Sequence, residues 1–144
     1  LEPHQLNQKQ CLAYQANAKK GERDRTLWSC FGESILGCDL CQEVCPWNAK
    51  TPKTRQKEWL NTFDKYAIND LRDLLQMTET DFKERFKDSV FSRPYLDVMR
   101  NVFLVIAFQK RVDLLRAVEV WGERHRNLDV AECIYCIENL RKLL

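Results

Sequence analysis

At 144 residues the chain has room for one ordinary domain, or for a small metal domain with a helical domain attached. A composition of 44% hydrophobic and 31% charged residues, with four Gly and four Pro, excludes disorder and repetitive fibres. The 23 Lys+Arg against 21 Asp+Glu leave a net charge of +2, too balanced to announce a nucleic-acid binder, so a polyanion would have to be met by a local patch.

The chain opens on Leu1 rather than Met, which points to a piece of a longer protein. Leu1-Glu2-Pro3-His4-Gln5 has no basic stretch leading into an apolar one, so no secretion signal is read there. The longest apolar run, 102–108, falls far short of the roughly 20 residues that cross a bilayer, and no membrane partner is expected. Seven cysteines is an odd number, and clustered cysteines in a reducing compartment bind metal. A cytoplasmic location and a monomeric state are the expectations.

The spacing predicts a first short helix over 10–19, with Cys11 near its start, and a second over 23–31 that stops before Gly32. Cys30 in the second either packs in the core or stands in as a metal ligand, and packing is the preferred reading. Next comes Gly37-Cys38-Asp39-Leu40-Cys41-Gln42-Glu43-Val44-Cys45-Pro46-Trp47-Asn48. Its C-x2-C-x3-C-P spacing matches the second half of a bacterial two-cluster ferredoxin run, where the cysteine before proline serves a different cluster from its neighbours. Iron–sulfur ligation by Cys38, Cys41 and Cys45 is therefore the reading. Zinc is the rival, since C-x2-C is also a zinc half-site, but the only other such pair is Cys133/Cys136. A [4Fe–4S] cluster takes four thiolates and Cys38 with Cys41 supplies two, which makes Cys11 the candidate for a third. Trp47 and Trp59 are read as packing residues, with base stacking as the alternative.

Thr51-Pro52-Lys53-Thr54-Arg55-Gln56-Lys57 reads as a polar linker over 51–57, dividing residues 1–50 from a helical part at 58–144. With Lys50 it forms a short basic patch. A helix over 68–76 puts Leu71, Leu74 and Leu75 on one side. Thr78, with Asp81 three residues on, predicts an N-cap for 79–86. A helix over 93–109 carries an apolar stripe through Tyr95, Val98, Met99, Val102, Phe103, Ile106 and Ala107. One over 112–121 stops near Gly122. The last, 129–143, buries Val130, Cys133, Ile134, Ile137 and Leu140, and Cys133 and Cys136 are read as core. Amphipathic pairs joined by short turns suggest a stack of the α-solenoid kind.

Gln8-Lys9-Gln10-Cys11-Leu12-Ala13-Tyr14 and the 37–48 motif together resemble the iron–sulfur region of epoxyqueuosine reductase. Leu71-Arg72-Asp73-Leu74-Leu75, Asp81-Phe82-Lys83-Glu84-Arg85-Phe86 and Arg100-Asn101-Val102-Phe103-Leu104-Val105-Ile106-Ala107 are similar to that family's C-terminal helical part. The resemblance implies a mostly α fold, with a partial ferredoxin-like [4Fe–4S] region at 1–50 and a HEAT-like α-helical domain at 58–144. It implies that Cys11, Cys38 and Cys41 bind one cluster and Cys45 the other. It further implies an oxidoreductase that passes electrons from an external donor through two clusters to cobalamin, reducing epoxyqueuosine to queuosine in the tRNA anticodon stem-loop. Lys53, Arg55, Lys57, Arg93 and Arg100 are the candidates for phosphate contacts.

The family's upstream C-x2-C-x2-C-x3-C-P run and its cobalamin region do not occur in this sequence. The ligand set is then incomplete, with Cys30 or an outside ligand completing one cluster, and the piece alone is expected to be inactive. Two other readings stay open: a corrinoid-dependent reductive dehalogenase-like or general ferredoxin-type protein, and a zinc-bound helical interaction module.

Overall fold

A computed structural model of the chain describes residues 5, 7–18, 23–52 and 67–144. In chain order it contains α1 (Leu12–Asn17), α2 (Leu40–Glu43), α3 (Leu71–Gln76), α4 (Glu79–Phe86), α5 (Tyr95–Phe108), α6 (Leu115–Arg124) and α7 (Ala131–Arg141). Short 3₁₀ turns sit at Gln8–Gln10, Arg25–Cys30, Asn48–Lys50 and Val112–Leu114, and the described residues contain no strand. None of the described helices is long and apolar enough to cross a membrane.

The helix starts follow local chemistry. The Asp70 side chain accepts from the Arg72 N–H at 2.9 Å and begins α3. At α4 the capping box forms as the sequence predicts: Thr78 Oγ1 accepts from the Asp81 N–H at 3.2 Å, and the Thr78 N–H donates to Asp81 Oδ2 at 3.4 Å. Pro94 precedes α5, and Lys110, at φ 54°, turns the chain just beyond its end.

Helix α5 is buried nearly all round, which is how a helix apolar on every side must be placed. Val98, Met99, Val102, Phe103 and Ile106 enter the main core, shared with Leu74, Leu75, Phe82, Phe86, Leu114, Val118, Trp121 and residues of α7. Leu104 and Val105 instead join a second core with Ala16, Trp28 and Phe31. The N-terminal part therefore packs directly on the central helix. Burial of Trp28 and Phe31 contributes about 1.5–3 kcal/mol each.

Four expectations are corrected. The α-helix expected over 23–31 is instead a 3₁₀ turn at Arg25–Cys30. Three residues per turn place Trp28 and Phe31 on one inward side and send Cys30 outward, so Cys30 is exposed rather than packed. Gly122 lies inside α6 instead of ending it, and the helix stops at His125, whose backbone N–H bonds the Trp121 carbonyl at 3.1 Å. On α7 the buried stripe is Val130, Cys133, Cys136 and Leu140, spaced by three or four, and Ile134 is 57% exposed.

Candidate metal centre

Two segments carry the four cysteines. Cys11 is the N-cap of α1, its N–H bonded to the Gln8 carbonyl at 3.1 Å and its carbonyl accepting from the Gln15 N–H at 3.0 Å. The other three lie on a compact turn. Gly37, at φ +78°, takes the chain into it through a backbone conformation that favours glycine. The Asp39 carbonyl then accepts from the N–H groups of Gln42 (2.8 Å) and Glu43 (2.9 Å), forming the single helical turn that holds Cys41. The Cys45 carbonyl accepts from Asn48 (3.0 Å) and Ala49 (3.2 Å). Asn48 Nδ2 closes the loop by donating to Gln42 Oε1 at 2.8 Å and to the Gln42 carbonyl at 3.1 Å. Pro46 fixes φ where the chain leaves the third cysteine.

All seven cysteines are free thiols. Cys41 is exposed, and Cys11, Cys38 and Cys45 are partly so. Gln42 Nε2 lies 3.8 Å from Cys41 Sγ, the kind of amide contact that tunes a sulfur ligand. Leu40, Val44 and Trp47 stand around the turn as exposed apolar side chains, Trp47 at 87%. The expected packing of Trp47 is thus corrected, while Trp59 lies outside the described residues.

Soft, unbridged, reachable thiols on a proline-ended turn fit an iron–sulfur group in donor chemistry. They are not gathered into one point, because no three His, Cys, Asp or Glu side chains among the described residues converge on a metal-holding position. Cys133 and Cys136 behave differently. Burial pushes each thiol up to about 12, and Cys133 Sγ sits 4.0 Å from the Val118 carbonyl. They are inert core residues, as the sequence predicts, and they do not supply the second half of a zinc site.

The phosphate candidates fall into three situations. Lys53, Arg55 and Lys57 lie outside the described residues. Arg93 is exposed beside a groove of about 540 Å³ bounded by Phe82, Phe86, Phe91 and Pro94. Arg100 is corrected: it is 6% exposed and turned inward, bonded to Asp97 Oδ1 at 2.9 Å and 3.7 Å from Glu132 Oε2.

Sequence reasoning missed the residues that hold the cysteine segments. Arg23 reaches Glu132 at 3.5 Å and donates to the Ala18 carbonyl at 3.2 Å and the Asp97 carbonyl at 3.3 Å. Desolvation lowers the Arg23 pKa, against the opposing pull of Glu132. Asn101, wholly buried, bonds the backbone of both the first helix and the approach to the turn. The available signal was the pair Arg100-Asn101, polar residues inside an otherwise apolar helix.

Residues 1–48 match the 4Fe-4S double cluster binding domain family. An epoxyqueuosine reductase of Prochlorococcus marinus is 33% identical over 99 residues, covering 64% of this chain and 30% of the relative. One from Shewanella oneidensis is 26% identical over 136 residues, covering 93% of this chain and 34% of the relative. The fold is shared with a crystal structure of epoxyqueuosine reductase holding an epoxyqueuosine-modified tRNA-Tyr stem loop, at TM-score 0.67 and 22% identity over 96% of this chain. Epoxyqueuosine reductase from Bacillus subtilis matches over the same share at TM-score 0.62. The chain spans about a third of the length of those curated relatives and 46% of each solved chain. In sequence and in fold, then, this chain is similar to a part of epoxyqueuosine reductase, and its residues 1–48 match a 4Fe-4S double cluster binding domain.

Proposed function

We propose that the chain is the iron–sulfur and helical portion of an oxidoreductase that reduces epoxyqueuosine to queuosine in tRNA. One observation carries the reading. The Cys38-x2-Cys41-x3-Cys45-Pro46 turn, with Cys11 upstream, lies inside the residues that match the double-cluster domain, and all four thiols are free. In this reading Cys11, Cys38 and Cys41 hold one [4Fe–4S] cluster and Cys45 belongs to a second. Two such clusters, when bound, would supply electron transfer from an external donor toward cobalamin held elsewhere in the protein; conversion of epoxide to alkene and water takes two electrons and two protons. The chain's own residues orient the thiols, through the Asn48–Gln42 closure and the α1 cap, and tune sulfur by amide contacts such as that of Gln42.

The part from 58 onward is proposed to be a HEAT-like helical domain, separated from 1–50 by the 51–57 linker, with phosphate contacts offered by Lys53, Arg55 and Lys57 of the linker and by Arg93 of the helical part. Relatives named epoxyqueuosine reductase favour this over a dehalogenase or a simple ferredoxin. The buried state of Cys133 and Cys136 weighs against the zinc module.

Iron, acid-labile sulfide and zinc counted per chain after anaerobic reconstitution test the reading. Iron and sulfide that fall on Cys38→Ser support it. Zinc without sulfide overturns it.

A further inference from the structure

Asn101 occupies the middle of the most deeply buried helix and has no exposed surface. Both hydrogens of its amide are spent on backbone: Nδ2 donates to the Ala16 carbonyl at 2.9 Å and to the Ile35 carbonyl at 2.8 Å. These acceptors belong to different segments. Ala16 is in α1, which Cys11 caps, and Ile35 lies just ahead of Gly37 and Cys38. A single uncharged atom with two donor hydrogens is found only in Asn and Gln among side chains; a hydroxyl has one. Turning the amide over would set Oδ1 against two carbonyl oxygens, so the partners fix its orientation.

Asn101 Oδ1 is itself buried with no hydrogen-bond partner. An apolar residue would avoid that unpaired acceptor, but it would leave the Ala16 and Ile35 carbonyls without donors in the interior. The side chain is therefore suited to joining two pieces of backbone rather than to filling space. Arg23 adds a second tie at the same end of α1, through the Ala18 carbonyl and Glu132.

We infer that Asn101 is a positioning residue for the cysteines: by bonding Ala16 and Ile35 at once, it fixes the Cys11 segment against the approach to Cys38. This rests on the reading of Cys11 and Cys38 as ligands of one cluster. Asn101 touches neither thiol and acts through the backbone that carries them.

The test compares the wild-type chain with Asn101→Leu, which removes both donors, and Asn101→Gln, which keeps them. Val118→Ala serves as the control, a buried position in the main core away from the second one. Thermal unfolding of each is recorded by circular dichroism. In metal-free protein, iodoacetamide labelling of Cys11 and Cys38 is timed against Cys30. After reconstitution, iron, sulfide and the electron paramagnetic resonance signal of the reduced cluster are measured.

Asn101→Leu is expected to speed labelling of Cys11 and Cys38 on the order of tenfold relative to Cys30, as loss of buried hydrogen bonds opens the segments. It is also expected to lose the cluster signal. Asn101→Gln should restore most of both, and Val118→Ala should alter the melting temperature with neither. If Asn101→Leu does not fold, Asn101→Ser, which keeps one donor, takes its place. Wild-type labelling rates and cluster content in Asn101→Leu would overturn the positioning role, as would equal losses in Val118→Ala. Wild-type chain without iron and sulfide would show that the missing upstream cysteines are required for a cluster, and the labelling rates would still judge whether Asn101 joins the two segments.

Discussion

The indole N–H of Trp121 donates to the hydroxyl of Tyr95 across 2.9 Å, and that hydroxyl donates onward to the Met77 carbonyl at 3.2 Å. The relay links α6, α5 and the end of α3 through buried side chains. Tyr95→Phe keeps the ring, with its edge contact to Phe82, and deletes both bonds. It leaves the Trp121 donor buried and unpaired, at a cost of about 1–3 kcal/mol. A melting temperature lower by several degrees is expected, and an unchanged one would mean that water or a rearrangement replaces the bond.

The buried thiols of α7 set a dependence on alkaline pH. Cys133 and Cys136 are pushed from an ordinary 9.0 up to about 12 by burial. The unfolded chain releases these protons above its own thiol pKa while the folded chain keeps them. Their contribution to stability is therefore complete below about pH 9 and is lost as pH rises toward 12. Each thiol is worth about 1.4 kcal/mol per pH unit inside that window. Urea unfolding at several pH values checks this, and Cys133→Ala with Cys136→Ala should flatten the decline.

Glu132 faces two buried guanidinium groups, those of Arg23 and Arg100. Glu132→Ala would leave both without it in the interior, and a loss of about 3–5 kcal/mol is expected from the urea midpoint. Replacing Arg23 by Met and Glu132 by Leu together should cost less than Glu132→Ala alone, because one unpaired charge goes with its partner. A double replacement as damaging as the single one would contradict the charge argument.

How far the sequence foretold this structure depended on the range of the interactions. Thr78 and Asp81 are three residues apart, so their reciprocal cap could be read directly, and the apolar stripe of α5 could be read from its period. Cys30 is exposed against expectation because its segment winds with three residues per turn rather than the 3.6 of the expected α-helix. Arg100 looked like a surface cation because its partner Glu132 is distant in sequence and the helix crossing that joins them has no local signal. Asn101 was passed over for the same reason: its two acceptors are 85 and 66 residues away.

Gly122 offers a check on the corrected helix. A Cβ there would meet Cys133 Sγ at 3.5 Å, an ordinary contact, in helical backbone. Gly122→Ala should therefore stabilise the chain by about 0.5–1 kcal/mol through the lower entropy of the unfolded state. A lower melting temperature would show that α6 and α7 approach more closely than this.

If the tRNA reading holds, Arg55→Ala with Lys57→Ala in the complete protein should weaken binding of an anticodon stem-loop most at low salt, with a shallower dependence of affinity on salt. Binding titrations over a range of potassium chloride check this. Affinity that does not change would remove the patch.

Because Leu104 and Val105 of α5 form part of the core beneath Trp28 and Phe31, the cysteine-bearing segments have a foundation that they do not own. Dependence between the two halves runs one way. Amide protons near the cysteine turn can exchange through small local openings while α5, α6 and α7 stay shut, but any opening that melts α5 must release the cysteines with it. A protein of this design frees its cysteine-bearing segments early on gentle warming and its helices late, and on cooling the helices must return before those segments can dock.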